Sequence, residues 1–248
     1  MGTHETSAIF DRGRHTRVKS HKLPLSYDPA PLAAELDLIT DIEWHPHFNA
    51  QTYSGVWRVA ALRSKGGTLE RVEAHPSSSN EFADTPILSR SPELQRVVHG
   101  FRCPTTAVRL LSLSPGAVVL EHRDHGLRLE DGEARLHIPV RSNEGVEFVL
   151  DGALLPMAPG ECWYINADLP HSVVNRGTTE RVHLVIDCQV NDWLVDLLPE
   201  GAVRRTTREE DGGIDAENWR QVVQALRLQG TDDAALLADQ IESRWKHR

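Results

Sequence analysis

Residues 117–124 read Ala-Val-Val-Leu-Glu-His-Arg-Asp. An apolar run leads into His122, and Asp124 follows two positions later. Residues two apart on an extended strand point the same way. One strand can therefore offer an imidazole and a carboxylate together. His171 comes 47 residues after Asp124, and Arg181 ten residues after that. Two neutral imidazoles and one carboxylate on one face of a metal form the facial triad of non-haem Fe(II) oxygenases, which leaves three coordination positions open. The guanidinium of Arg181 is a rigid fork suited to gripping a carboxylate bidentately. A metal with open positions beside a carboxylate anchor predicts an Fe(II) oxygenase that uses 2-oxoglutarate and O₂.

Working outward, the region from Ala107 reads as short strands broken by Gly and Pro. Strands are predicted over Ala107–Leu113, Ala117–His122, Arg135–Val140, Glu147–Leu150, Ala153–Met157, Glu161–Ile165, His171–Asn175 and Arg181–Gln189. Asp151-Gly152 is a hairpin signal. Pro115-Gly116 and Pro159-Gly160 read as parallel turns, each feeding a strand that delivers a ligand. Many short strands with such turns predict a β-sandwich or barrel. Upstream, Pro29–Leu38 reads as a short helix and the segment ending at Leu62 as a strand. Ser91–Phe101 reads as a helix capped by Ser91 with Pro92 at its first position.

The sequence divides into three expected segments. Residues 1–28 are an N-terminal arm, 29–195 the β-domain with N-terminal helical elements, and 196–248 a linker with a C-terminal helical extension. Arg204–Gly213 is the charged linker. A helix should run from about Ala216 to Gln229, with Asp215 as N-cap and Gly230 as stop. A second should follow Thr231, with Leu237, Ile241 and Trp245 on one stripe. This pair either packs on the barrel or forms a homodimer contact.

Bulk properties narrow the class. With 40% apolar and 25% charged residues, the 248-residue chain is ordinary globular protein. A net charge of −9 argues against a nucleic-acid partner, which requires a basic excess. The first 20 residues hold no apolar run, and no stretch reaches the length of a membrane span. Cys103, Cys162 and Cys188 lack C-x-x-C spacing and read as reduced core thiols, so a cytoplasmic location is expected.

Three pieces of sequence resemble the aspartyl/asparaginyl β-hydroxylase family, which includes bacterial proline hydroxylases. They are VRLLSLSPGAVVLEHRDHG at 108–126, RLHIPV at 135–140 and PGECWYINADLPHSVVNRGTTERVHLVIDC at 159–188. Trp44–Leu62 is similar to the segment that precedes the barrel in bacterial members. The resemblance implies a double-stranded β-helix, a cupin-like jelly roll. It also implies an Fe(II), O₂ and 2-oxoglutarate enzyme that hydroxylates a carbon of an amino acid, free or within a peptide. On it, His122, Asp124 and His171 hold iron, and Arg181 takes the distal 2-oxoglutarate carboxylate. His137 helps to hold 2-oxoglutarate. Arg135 binds a substrate carboxylate, with Trp57 placed beside the substrate. Asp124 resembles the bacterial free-amino-acid enzymes, because the animal members lack a carboxylate there.

Each assignment has a plainer competitor. His171 could bond a core carbonyl, and Arg181 could pair with Glu180. Trp57, Trp163 and Tyr164 could be core aromatics. His125 is the rival ligand but should face away from the other two. A non-oxidative metal cupin, either an isomerase or a small-molecule binding module, is the alternative function. Cupins more often carry H-x-H followed by a Glu, and here the nearest Glu is Glu130. Free proline, another free amino acid and an Asp or Asn residue in a peptide all stay open as substrates.

Overall fold

The computed structural model describes residues 18–72, 81–202 and 219–228, and positions 235, 238, 239 and 241–243. The chain divides into two compact units, Met1–Val203 and Arg204–Arg248.

The first unit begins with β1 (Ser20–Ser26), α1 (Pro29–Leu36), β2 (His45–Pro46), β3 (Tyr53–Ser54) and β4 (Trp57–Lys65). Next come β5 (Phe82–Asp84), α2 (Pro86–Ser89), α3 (Pro92–Val98), β6 (Thr105–Leu113) and β7 (Val118–His122). The remaining strands are β8 (Glu133–Arg141), β9 (Val146–Leu150), β10 (Ala153–Leu154), β11 (Glu161–Ile165), β12 (His171–Asn175) and β13 (Arg181–Gln189). A short α4 (Asp192–Val195) follows.

The strands form two sheets, a double-stranded β-helix. The larger runs β1-β11-β8-β13-β6-β4-β2, with β5 on β4, and the smaller runs β10-β9-β12-β7-β3. Every pairing is antiparallel. Strand periodicity explains the layering. On β13, Val182, Leu184 and Ile186 point away from the small sheet and pack with Leu32, Leu36, Leu94 and Val97 of α1 and α3. The alternating positions look the other way, where Val185 packs with Phe148, Leu150 and Val173 of the small sheet. Both faces of the large sheet are thus covered, which accounts for the nearly continuous apolar runs of its central strands. The polar residues that interrupt the inner face are the exceptions that matter.

Several sequence expectations change. Within the expected N-terminal arm, Ser20–Ser26 is the edge strand β1, paired with β11; positions 1–17 lie outside the described residues. Its Lys22 and Pro24 are residues that suit an edge. Ser91 occupies the N-cap position of α3 but its hydroxyl bonds Ile87 O instead. The free amides of Glu93 and Leu94 donate to the Glu35 carboxylate, both at 2.8 Å. Pro159-Gly160 does not feed a ligand strand: it enters β11, which lies in the large sheet. There Gly160 takes φ +82, and a Cβ would sit 2.1 Å from Tyr27 O. Asp124 lies two residues past the end of β7, so the strand itself carries only one of the two ligands.

In the second unit, α5 (Trp219–Leu228) covers most of the expected first helix. Trp219, Val223, Ala238 and Ile241 pack together, so part of the predicted stripe is buried within this unit. Asp215, Gly230, Leu237, Trp245 and the linker 204–213 lie outside the described residues. No helix among the described residues is long and apolar enough to cross a membrane. Cys103, Cys162 and Cys188 are free and buried.

Candidate functional site

The inner faces of the two sheets enclose a cavity of about 240 Å³, large enough for small molecules. Its walls carry all seven residues singled out from the sequence: Trp57, His122, Asp124, Arg135, His137, His171 and Arg181.

β7 and β12 bring the imidazoles together. His122 and His171 are cross-strand partners, with ring centroids 4.2 Å apart. The His122 Nδ1 lies 2.8 Å from Leu120 O, and the His171 Nδ1 lies 2.9 Å from Leu169 O. A carbonyl only accepts, so each Nδ1 carries the proton and each Nε2 keeps its lone pair. Both free Nε2 atoms face one carboxylate. His122 Nε2 is 3.9 Å from Asp124 Oδ1, and His171 Nε2 is 4.0 Å from Asp124 Oδ2. One ligand atom from each of the three residues lies within 4.8 Å of the others. Neutral imidazoles with the far nitrogen tied to a carbonyl are the pattern metal-binding histidines adopt, so this donor set fits a divalent ion. Burial, and next His122, lower the pKa of His171 to about 4. Burial alone would raise that of Asp124, but Arg135 first, and then His171 and His122, lower it to about 2. At neutral pH both are in the deprotonated form a metal needs. Neither His125, exposed and bonded to Asp168, nor Glu130 joins the cluster.

Arg181 is 2% exposed and has no carboxylate partner among the described residues. Its Nη2 donates to His183 Nδ1 at 2.8 Å, and its Nε has no partner. Burial lowers its pKa to about 9. Glu180, the expected plain partner, instead accepts from Arg58 at 3.2 Å and from Ser112. A buried guanidinium left without an anion is costly, and this one opens into the cavity beside the three ligands.

His137 faces the same cavity and is fully buried. Its Nδ1 is 3.3 Å from His183 Nδ1, and its Nε2 has no partner. His183 Nδ1 accepts from Arg181, so it has no proton to give to His137. His137 Nδ1 is then the donor and its Nε2 is a bare acceptor. Burial, then Arg181, hold His137 well below the ordinary histidine range.

Arg135 differs from expectation. Expected to bind a substrate carboxylate, it already has an anion within the chain, Asp187. Arg135 Nε donates to Asp187 Oδ1 at 2.7 Å and Nη2 to Oδ2 at 3.0 Å, while Nη1 donates to Asp124 Oδ2. Arg109 Nη2 reaches Asp187 Oδ2 from the other side at 2.6 Å. Register produces this chain of charges: Asp187 on β13 is opposite Arg135 on β8, and Val185 is opposite Arg109 on β6. Burial works against the Arg135 charge, but Asp187 and then Asp124 outweigh it and raise its pKa. Trp57 is 6% exposed with its ring stacked on His47 at 3.5 Å, so it is both a core aromatic and part of the cavity wall.

Sequence reasoning missed Asp187, Arg109, His183 and Glu133. The first three share one signal: they are polar residues on the inward phase of strands whose other phase is apolar.

A jelly roll with a two-His, one-carboxylate cluster and a buried free guanidinium defines the class of cupin-fold proteins with a metal-type donor set. Residues 32–190 match the sequence profile of aspartyl/asparaginyl beta-hydroxylase, and the chain belongs to that family. It is 27% identical over 187 residues to an L-proline cis-4-hydroxylase of Rhizobium meliloti (strain 1021). That match covers 75% of this chain and 66% of the relative, just under two thirds of its length. Among solved structures, it is similar to an oxidoreductase of the 2OG-Fe(II) oxygenase family from Burkholderia pseudomallei. That likeness has a TM-score of 0.43 at 17% identity and covers 65% of this chain and 79% of the other. A cupin 2 conserved barrel domain protein from Salinispora arenicola CNS-205 gives a TM-score of 0.32 at 16% identity, covering 64% and 90%. Both likenesses are remote, and the fold rests on the strand order itself.

Proposed function

We propose that the protein is an Fe(II)- and 2-oxoglutarate-dependent hydroxylase acting on a carbon of an amino acid. One observation carries the reading. A three-ligand cluster suited to iron and a buried guanidinium with no carboxylate partner among the described residues open into the same cavity. A non-oxidative cupin has no general need for the second feature. The family membership and the proline hydroxylase relative support the same activity.

His122, Asp124 and His171 would hold the iron, and Arg181 the distal carboxylate of 2-oxoglutarate. When bound, iron and 2-oxoglutarate supply the oxidising power to hydroxylate an unactivated carbon with O₂, releasing succinate and CO₂. The chain supplies orientation and a dry site. Arg135 holds Asp124 in place, and Asp187 neutralises Arg135 together with Arg109, so a substrate carboxylate would bind Arg135 by displacing one of its carboxylate partners. 2-Oxoglutarate offers only acceptor oxygens, so to help hold it His137 would carry a proton at Nε2 and donate it. Trp57 closes the wall beside the substrate. The homodimer contact expected of the C-terminal helices belongs to the same proposal, and light scattering on the full chain checks it.

The test is aerobic turnover of 2-oxoglutarate with Fe(II) and a panel of free amino acids and peptides. Succinate should form in step with one hydroxylated product. No stimulation of succinate by any member would remove the hydroxylase assignment.

A further inference from the structure

The carboxylates on the cavity wall are not equivalent. Asp187 is enclosed by Arg109 and Arg135. Asp124 is held by Arg135 and faces both imidazoles. Glu133 differs. It is the first residue of β8, half-buried on the cavity wall, with no side-chain hydrogen bond or ion pair among the described residues. Two steps along the strand at about 3.3 Å each separate it from Arg135, and four from His137, so all three share one face. Arg135 could reach back to it, but its guanidinium is turned onto Asp187 and Asp124.

The inner face therefore has two unsatisfied poles. Among the described residues, Arg181 is a cation without an anion at one end, and Glu133 is a carboxyl group without a cation at the other. The ligand cluster and the closed Arg109–Asp187–Arg135 set lie between them. Resting on the reading of this cavity as the substrate site, we propose that Glu133 is the counter-charge for a protonated amine on the substrate. The pocket then takes a free amino acid and discriminates against the same residue inside a peptide.

The chemistry is simple. A free amino acid carries a primary or secondary ammonium, an N–H donor with a full charge. A peptide nitrogen is a neutral amide. Charge-assisted hydrogen bonds to a carboxylate are roughly twice as strong as neutral ones. An acylated nitrogen would leave Glu133 partly desolvated and unpaired. Burial, and then the nearby Asp187, push the Glu133 acid up to about 7, and an ammonium bound beside it would favour the ionised form.

The test uses the full chain with Fe(II) and 2-oxoglutarate under anaerobic conditions. Calorimetry measures binding of the standard L-amino acids, including L-proline, and of their N-acetyl forms. The best free amino acid should bind at least about tenfold more tightly than its N-acetyl form. In Glu133→Gln the two should lie within roughly threefold, and Glu133→Asp should restore part of the difference. Removing a carboxylate that faces Asp187 relieves repulsion, so Glu133→Gln is expected to fold. Equal binding of the N-acetyl form by the unaltered chain, a preference retained in Glu133→Gln, or no free amino acid bound would each overturn the inference. Succinate release in air reports separately on the hydroxylase reading. Succinate with a peptide and with no free amino acid keeps that reading and removes this inference. An amine preference that depends on Glu133 without any succinate does the reverse.

Discussion

His122 and His171 face each other across β7 and β12, and each ties its Nδ1 to the carbonyl two residues before it. The symmetry leaves two Nε2 lone pairs aimed at the Asp124 carboxylate. His122→Ala or His171→Ala should abolish iron binding, measured by anaerobic Fe(II) titration. Protons compete for the same lone pairs. With its pKa lowered to about 4, His171 is the neutral imidazole at pH 7 with Nε2 unprotonated, so its contribution should be lost only as pH falls toward that value. Full iron occupancy in both alanine variants would disprove the cluster.

Arg181 should show opposite effects on binding and on stability. Truncating one side of a desolvated charge pair costs on the order of 2–5 kcal/mol. Arg181→Gln should therefore weaken 2-oxoglutarate by roughly thirtyfold or more while iron binding stays. Without ligand, the buried charge is a burden. Arg181→Met should raise stability by about 1 kcal/mol or more while eliminating 2-oxoglutarate binding. A denaturant midpoint that falls in Arg181→Met would mean the guanidinium is already satisfied within the fold.

Asp187 is the keystone of the inner face, since it neutralises Arg109 and Arg135 together. Breaking a buried pair by removing one partner costs about 3–5 kcal/mol. Asp187→Asn should lower unfolding stability by about that amount. Arg135→Ala should weaken iron through Asp124, raise the KM of the amino acid, and let succinate form faster than hydroxylated product. Product-to-succinate ratios measure the last effect, and a ratio unchanged from the unaltered chain would leave Arg135 a purely structural residue.

A pH profile follows from Glu133. Its carboxyl pKa is raised to about 7, so the charged form is present above that value and lost below it. Amino-acid affinity should fall as pH drops through about 7, by at most about tenfold per unit for one linked proton. Glu133→Gln should flatten this limb. Parallel profiles for the two proteins would assign the limb to another group.

Much of this is legible in the sequence. β11, β12 and β13 have the boundaries predicted from Gly and Pro turns flanking β-branched runs. The spacing of His122, Asp124, His171 and Arg181 was enough to gather all four in one cavity. What stayed hidden depends on register and distance. Whether Arg135 is free or paired turns on its standing opposite Asp187, 52 residues later, which no local pattern encodes. The cap of α3 comes from Glu35, 58 residues before Glu93, so the local Ser91 rule gave way to a tertiary contact. One signal was present and unread: in Arg181–Gln189 the polar residues Arg181, His183 and Asp187 share one strand phase while Val182, Leu184 and Ile186 fill the other.

The most direct test of the account is an anaerobic titration of the full chain with Fe(II) and then 2-oxoglutarate, in parallel with His171→Ala and Arg181→Gln. The account predicts one iron per chain and a 2-oxoglutarate that binds after it. Iron should be lost in His171→Ala, and 2-oxoglutarate alone should be weakened in Arg181→Gln. Tight 2-oxoglutarate binding in Arg181→Gln, or full iron occupancy in His171→Ala, would contradict it.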